Sequence, residues 1–218
     1  MAGDRSEALW ADLPELSQLA VAYAPPAAKQ QWAALLALDE RLATILRKKR
    51  EPMLAQLRLA WWRDRLNESP ALWPAGDAVL DSLREWHAPA ALAALVDGWE
   101  TLVADQVDGA ALDGFAAGRG AGFAALADEL GDPSEPARHA GRVWALADLA
   151  ANISDPQERA MALSLAQENG RPPVLPRSMR PLAVLAGLGW RAVQAGGGPL
   201  MIGRGGALAA FRLGLLGR

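Results

Sequence analysis

Strand-forming residues are scarce in this chain: isoleucine occurs three times and threonine twice in 218 residues, while alanine and leucine dominate. Alanine and leucine lose little on entering a helix, whereas β-branched side chains suit pleated, half-buried surfaces. The chain therefore reads as helix almost throughout. Its length suits one compact domain with a sizeable core. An apolar share of 51% and a charged share of 22% set it apart from disordered and fibrous proteins. The absence of cysteine removes disulfide scaffolds, thiolate metal sites and cysteine catalysis. With only His87 and His139, a histidine-rich zinc site and a histidine-based triad have little to draw on.

Proline and glycine punctuate the helices. The first is expected over 14–23, stopping before Pro25-Pro26, which disfavour continuation. A second runs over 27–48, with Trp32, Leu35, Leu36, Leu42, Ile45 and Leu46 on one stripe. Glu51-Pro52 starts a third, carrying Met53, Leu54, Leu57, Trp61 and Leu66, with proline in the first turn where it is tolerated. Further helices are expected over 77–87, 89–106, 111–130, 135–151, 156–168 and 180–195. After the break Gly196-Gly197-Gly198-Pro199, a last one is expected over 205–216, with Leu208, Phe211, Leu215 and Leu216. The resulting fold class is all-α, a single domain over 1–218.

No apolar run reaches the roughly 18 residues that span a bilayer. Met1-Ala2-Gly3-Asp4-Arg5-Ser6-Glu7 lacks the basic start and apolar stretch of a signal peptide. The expectation is a cytoplasmic protein, with a peripheral place at the inner face of the membrane as a further option. Charge supplies the reason for that option. No acidic residue follows Glu168, while Arg171, Arg177, Arg180, Arg191, Arg204, Arg212 and Arg218 do, so residues 1–168 hold −10 of a net −3. A cationic end beside an acidic body points either to docking within the chain or to an anionic partner such as a lipid headgroup or diphosphate. The cluster Arg47-Lys48-Lys49-Arg50 reads as compensation of a helix dipole. With no aromatic residue interleaved and an acidic body, it gives no support for nucleic-acid binding.

Two stretches resemble a known family. The first is Tyr23-Ala24-Pro25, then Ala34-Leu35-Leu36-Ala37-Leu38-Asp39 and Glu51-Pro52-Met53-Leu54-Ala55-Gln56-Leu57-Arg58-Leu59-Ala60-Trp61-Trp62-Arg63-Asp64. The second is Gly141-Arg142-Val143-Trp144-Ala145-Leu146, then Gly170-Arg171-Pro172-Pro173-Val174-Leu175-Pro176 and Arg180-Pro181-Leu182-Ala183-Val184-Leu185-Ala186. In this order, over most of residues 20–190, they resemble the squalene/phytoene synthase family, particularly its short bacterial members. The resemblance implies an isoprenoid-synthase-type helical bundle around a central cavity. Active members join two prenyl diphosphates head to head, with Mg²⁺ held by two aspartate-rich motifs on facing helices. A hard cation wants several carboxylate oxygens, and a departing diphosphate needs its charge neutralised. A mitochondrial complex I assembly factor is a similar relative that lacks these motifs, which implies an assembly or scaffold role as another outcome.

The chain departs from the family at the metal. The first motif would fall around Ala43-Thr44-Ile45-Leu46-Arg47, where no carboxylate stands; Asp39 and Glu40 lie about one turn earlier. The second would fall within Asp148-Leu149-Ala150-Ala151-Asn152-Ile153-Ser154-Asp155, where Asp148 and Asp155 remain and Asn152 stands in place of an aspartate. The expectation is a degenerate relative that has lost metal-dependent condensation and binds an isoprenoid, another lipid or a protein partner, with no cofactor. The alternative is a working prenyltransferase that uses Asp39, Glu40, Asp148 and Asp155 as non-standard Mg²⁺ ligands. Substrate contact is assigned to Arg58, Trp61, Trp62, Arg63, Arg142 and Trp144.

Other features have plainer readings. Asp77 and Asp81 form DxxxD outside both motif positions, and Asp77 suits a helix cap. Asp97 and Glu100 share a face that is either a metal pair or solvated. Asp105 and Asp108 mark a helix end. Trp61 and Trp62 point about 100° apart, so one can enter the core while the other borders a cavity or interface. Arg58 and Arg63 meet a diphosphate or pair with Asp64 or Asp39. His139 reads as packed or surface histidine. Gly118-Arg119-Gly120-Ala121-Gly122 lacks the Lys-Ser/Thr of a phosphate loop and reads as a close approach of two helices. No serine sits in a nucleophile-elbow pattern, and Ser134 and Ser178 read as turn or helix-start residues.

Overall fold

A computed structural model describes residues 9–11, 13–47, 51–104, 106–198, 200, 209–210 and 212–214. Lys48, Lys49, Arg50, Asp105, the N-terminal segment 1–7 and most of the expected helix 205–216 lie outside them. The described residues are all-helical, with no strand among them. The α-helices are α1 (Glu15–Ala22), α2 (Lys29–Arg47), α3 (Pro52–Asn67), α4 (Ala78–Leu83), α5 (Ala93–Glu100), α6 (Gly109–Glu129), α7 (Ser134–Asn152), α8 (Pro156–Asn169) and α9 (Arg180–Gln194).

Side-chain caps set several starts. Asp77 accepts from the amides of Val79 and Leu80 at α4, and Asp155 from those of Gln157 and Glu158 at α8. Asp108 accepts from the amide of Ala111 and opens α6, which corrects its reading as a helix end. Proline explains two other boundaries. The expected helix at 27–48 begins as a 3₁₀ turn at Pro26–Ala28 before α2, and the one at 89–106 as a 3₁₀ turn at Pro89–Leu92 before α5. The helix expected over 77–87 stops at Leu83, and Ala88, before Pro89, is held out of the helical region at φ −135°. The helix expected to reach 106 ends at Glu100; the Thr101 hydroxyl lies 2.8 Å from the carbonyl of Ala111 and joins the chain to the start of α6.

Helix α6 is the hub, lying between α5 and α7, and α9 crosses α7 and packs on α1. Glycines make these crossings tight. A Cβ on Gly118 would stand 2.5 Å from the backbone of Ala94 and Gly98 on α5, and one on Gly120 would stand 2.7 Å from the Arg138 carbonyl on α7. The glycine run thus serves close helix approach, as its composition suggests. From α2, Trp32, Leu35, Leu38 and Leu42 enter the core, and the Trp32 indole donates to the carbonyl of Ser178 at 2.8 Å.

Candidate functional site: a cavity closed by a buried arginine

A cavity of about 480 Å³ opens among α1, α2, α5, α6 and α7. Most of its wall is apolar, from Leu36, Ala43 and Leu46 on α2, Phe115 on α6, Trp144 and Leu149 on α7, and Trp99 on α5. Arg119 occupies its polar end. Glycines on both sides of Arg119 bring the neighbouring helices to the α6 backbone, so the guanidinium enters the core with the residue 5% exposed.

Burial of a charge is costly unless partners replace its water. Every nitrogen of Arg119 has one. Its Nη2 donates to Asp39 Oδ2 at 2.6 Å, its Nε lies 3.1 Å from the same oxygen, and its Nη1 donates to Asp148 Oδ2 at 2.7 Å. The rings of Trp99, Phe115 and Trp144 surround the guanidinium with centroids 5.5, 5.5 and 5.6 Å away. The Trp99 indole also donates to Asp39 Oδ1 at 2.7 Å, and Asn152 Nδ2 lies 3.3 Å from Asp148 Oδ1. Burial works against the cation, but Asp39 and Asp148 outweigh it and hold Arg119 above its ordinary pKa. Two carboxylates and one guanidinium leave the buried end with a formal charge of −1.

Of the residues singled out in the sequence, Asp39, Glu40, Asp148 and Trp144 meet at this cavity. Glu40 is engaged by Arg47 and Thr44, and Asp155 is spent on the α8 cap. The two carboxylates that face each other across the cavity, Asp39 and Asp148, are joined by Arg119. This donor set does not fit Mg²⁺, which needs open carboxylate oxygens in near-octahedral array. Among the described residues, no group of three or more His, Asp or Glu side chains is placed to hold a metal ion.

The remaining candidates disperse. Arg58, Trp61 and Trp62 line a shallow groove of about 290 Å³ between α2 and α3. Trp62 is buried while Trp61 is 41% exposed, their rings edge to face at 5.1 Å, so the adjacent tryptophans divide between core and surface. Arg63 pairs with both Asp97 and Glu100 rather than with Asp64 or Asp39, which makes Asp97 and Glu100 an anchor for α3. Arg142 binds the Asn169 side chain and Asp113. His139 Nε2 lies 2.7 Å from the Asn169 carbonyl. Ser134 begins α7, and Ser178, in the 3₁₀ turn before α9, donates to Asp132.

Sequence reasoning missed Arg119, the residue around which the site is built, together with Trp99 and Phe115. One signal was present: Arg119 is the lone basic residue of a 21-residue helix, and it stands between two glycines in an apolar stretch. Set against family models, characterised proteins and solved structures, the chain matches none.

Proposed function

We propose that this chain is a non-condensing relative of the squalene/phytoene synthases, acting in the cytoplasm or at the inner face of the membrane. Its cavity takes the hydrocarbon part of an isoprenoid or similar lipid. The observation that carries the reading is Arg119, a resident cation fixed between the carboxylates of two facing helices, where the family resemblance would call for Mg²⁺. Each nitrogen of Arg119 already donates to Asp39 or Asp148, and the residual negative charge opposes a diphosphate. The apolar wall and a volume of about 480 Å³ suit an uncharged chain. An assembly role with a protein partner is the competing outcome, and the same experiment separates the two.

The test is a thermal-shift titration of the full chain with farnesol and with farnesyl diphosphate, each with and without Mg²⁺. Farnesol is expected to stabilise irrespective of metal, by about 2.7 kcal/mol at one hundred times its dissociation constant. Ala43→Trp, which fills the cavity, should abolish the effect. Stabilisation by the diphosphate that requires Mg²⁺, followed by a condensed product, would overturn the proposal. No shift with either ligand would direct attention to a protein partner.

A further inference from the structure

The arginines that follow Glu168 have, among the described residues, no acidic partners. Among the described residues, no ion pair joins any residue after Glu168 to the acidic body, although Arg171, Arg177, Arg180, Arg191 and Arg212 are all described. Three of them surround one pocket. It measures about 570 Å³ and brings together Arg171, just beyond the end of α8, Arg191 on α9 and Arg212 from the C-terminal segment. All three are exposed. The floor and sides between them are apolar: Pro172, Val174 and Leu175 from the extended stretch, Trp190 on α9, and Leu213. Val174 is 73% exposed, so its side chain is accessible at the edge of the pocket.

The arrangement is held by the fold. Gly187 on α9 has no side chain where Leu213 lies, and a Cβ there would stand 2.6 Å from Leu213 Cδ1. Leu213 therefore lies against α9, which sets its neighbour Arg212 on the same pocket as Arg191. Separately, each exposed arginine is content in water. Three from three chain segments around an apolar hollow repel one another, and an anion placed among them offsets that repulsion. Guanidinium forks match phosphate oxygens in pairs, and the apolar walls ask for hydrocarbon beside the charge.

From this we infer that the pocket between α8, α9 and the C-terminal segment binds the phosphate group of an amphiphile, with Arg171, Arg191 and Arg212 on the phosphate and Trp190, Val174 and Leu213 along the first part of the chain. It is a separate site from the cavity around Arg119, and its ligand is anionic where that cavity favours an uncharged one. The phosphate can belong to a dispersed single-chain molecule or to a bilayer phospholipid.

The probes are dodecyl phosphate, inorganic phosphate, and phosphatidylcholine vesicles with and without phosphatidylglycerol, each used with the full-length chain. Dodecyl phosphate should stabilise the protein in a thermal-shift titration, with inorganic phosphate far weaker. Arg171→Ala/Arg191→Ala should weaken the apparent affinity by about tenfold or more, since charge-assisted contacts are lost. Both side chains are exposed, so the variant should fold; farnesol stabilisation, which reports the other cavity, should persist in it. Conversely, Ala43→Trp should leave the dodecyl phosphate response intact, so the failure of one site is distinguishable from that of the other. Salt-sensitive sedimentation with phosphatidylglycerol vesicles, lost in the arginine variant, would identify the source as a membrane headgroup. Dodecyl phosphate binding without vesicle binding would identify a dispersed amphiphile. Equal response of wild type and arginine variant, equal strength of inorganic phosphate and dodecyl phosphate, or no response to any probe would each overturn the inference.

Discussion

Arg119 is the most consequential single residue in the molecule. Its guanidinium is nearly inaccessible, and its partner Asp39 is as deeply buried. Removing one member of such a network costs more than the network contributes, because the charge left behind has lost its compensation. Arg119→Leu is therefore expected to destabilise by about 3–5 kcal/mol in chemical denaturation, the cost of stranding Asp39. Asp39→Leu combined with Arg119→Leu should lose markedly less than the sum of the single changes, since neither charge is then stranded. Additive losses would mean that the two side chains are not coupled in the way their 2.6 Å contact indicates.

At the scale of elements, two contrasts are informative. Gly118 and Gly122 lie one turn apart on α6, yet they meet different surroundings. A Cβ at Gly118 collides with backbone on α5, whereas one at Gly122 meets only the Leu95 side chain at ordinary contact distance, 3.4 Å. Gly118→Ala should destabilise by about 1–3 kcal/mol or more and disturb the setting of Arg119. Gly122→Ala should be neutral or gain up to about 1 kcal/mol from helix propensity. Equal effects would argue against the α5–α6 crossing. Helix α3 supplies the second contrast, because it is apolar on two opposite sides. Ala55, Leu59, Trp62 and Leu66 face the core, while Met53, Leu54, Leu57 and Trp61 face outward, with Leu57 60% exposed. Leu59→Ala should cost about 2–5 kcal/mol in the same assay. Leu57→Gln should stay within about 0.5 kcal/mol of wild type, as surface changes usually do.

For the whole molecule, much of the local architecture can be read along the chain. The poverty of strand formers announces an all-helical fold. Pro25-Pro26 and Pro89 mark boundaries, Asp77 caps a helix, and the Gly118–Gly122 segment signals close packing, because each depends on the stereochemistry of a few consecutive residues. The division of labour between Trp61 and Trp62 also follows from helical geometry. The site does not follow in this way. Asp39, Arg119 and Asp148 are separated by 80 and 29 residues, and each alone resembles an ordinary surface charge. Arg63 illustrates the same point: Asp64 or Asp39 is the partner offered along the sequence, yet it bonds across to Asp97 and Glu100, 34 and 37 residues away.

The charge asymmetry shows where the two kinds of information part. That the stretch after Glu168 is basic and the stretch before it net acidic follows from the order of residues along the chain. Whether the arginines turn inward to the acidic body or remain free for a phosphate depends on which surfaces the helices present to one another. Local sequence determined that this chain forms helices, where they begin and which of their faces are apolar, since backbone dihedral preferences and side-chain period act over a few residues. Only the tertiary structure decided that an arginine closes the gap between two carboxylates and that three others meet around an open pocket. Ion pairing and cavity shape are set by distances in space between segments that share no local signal.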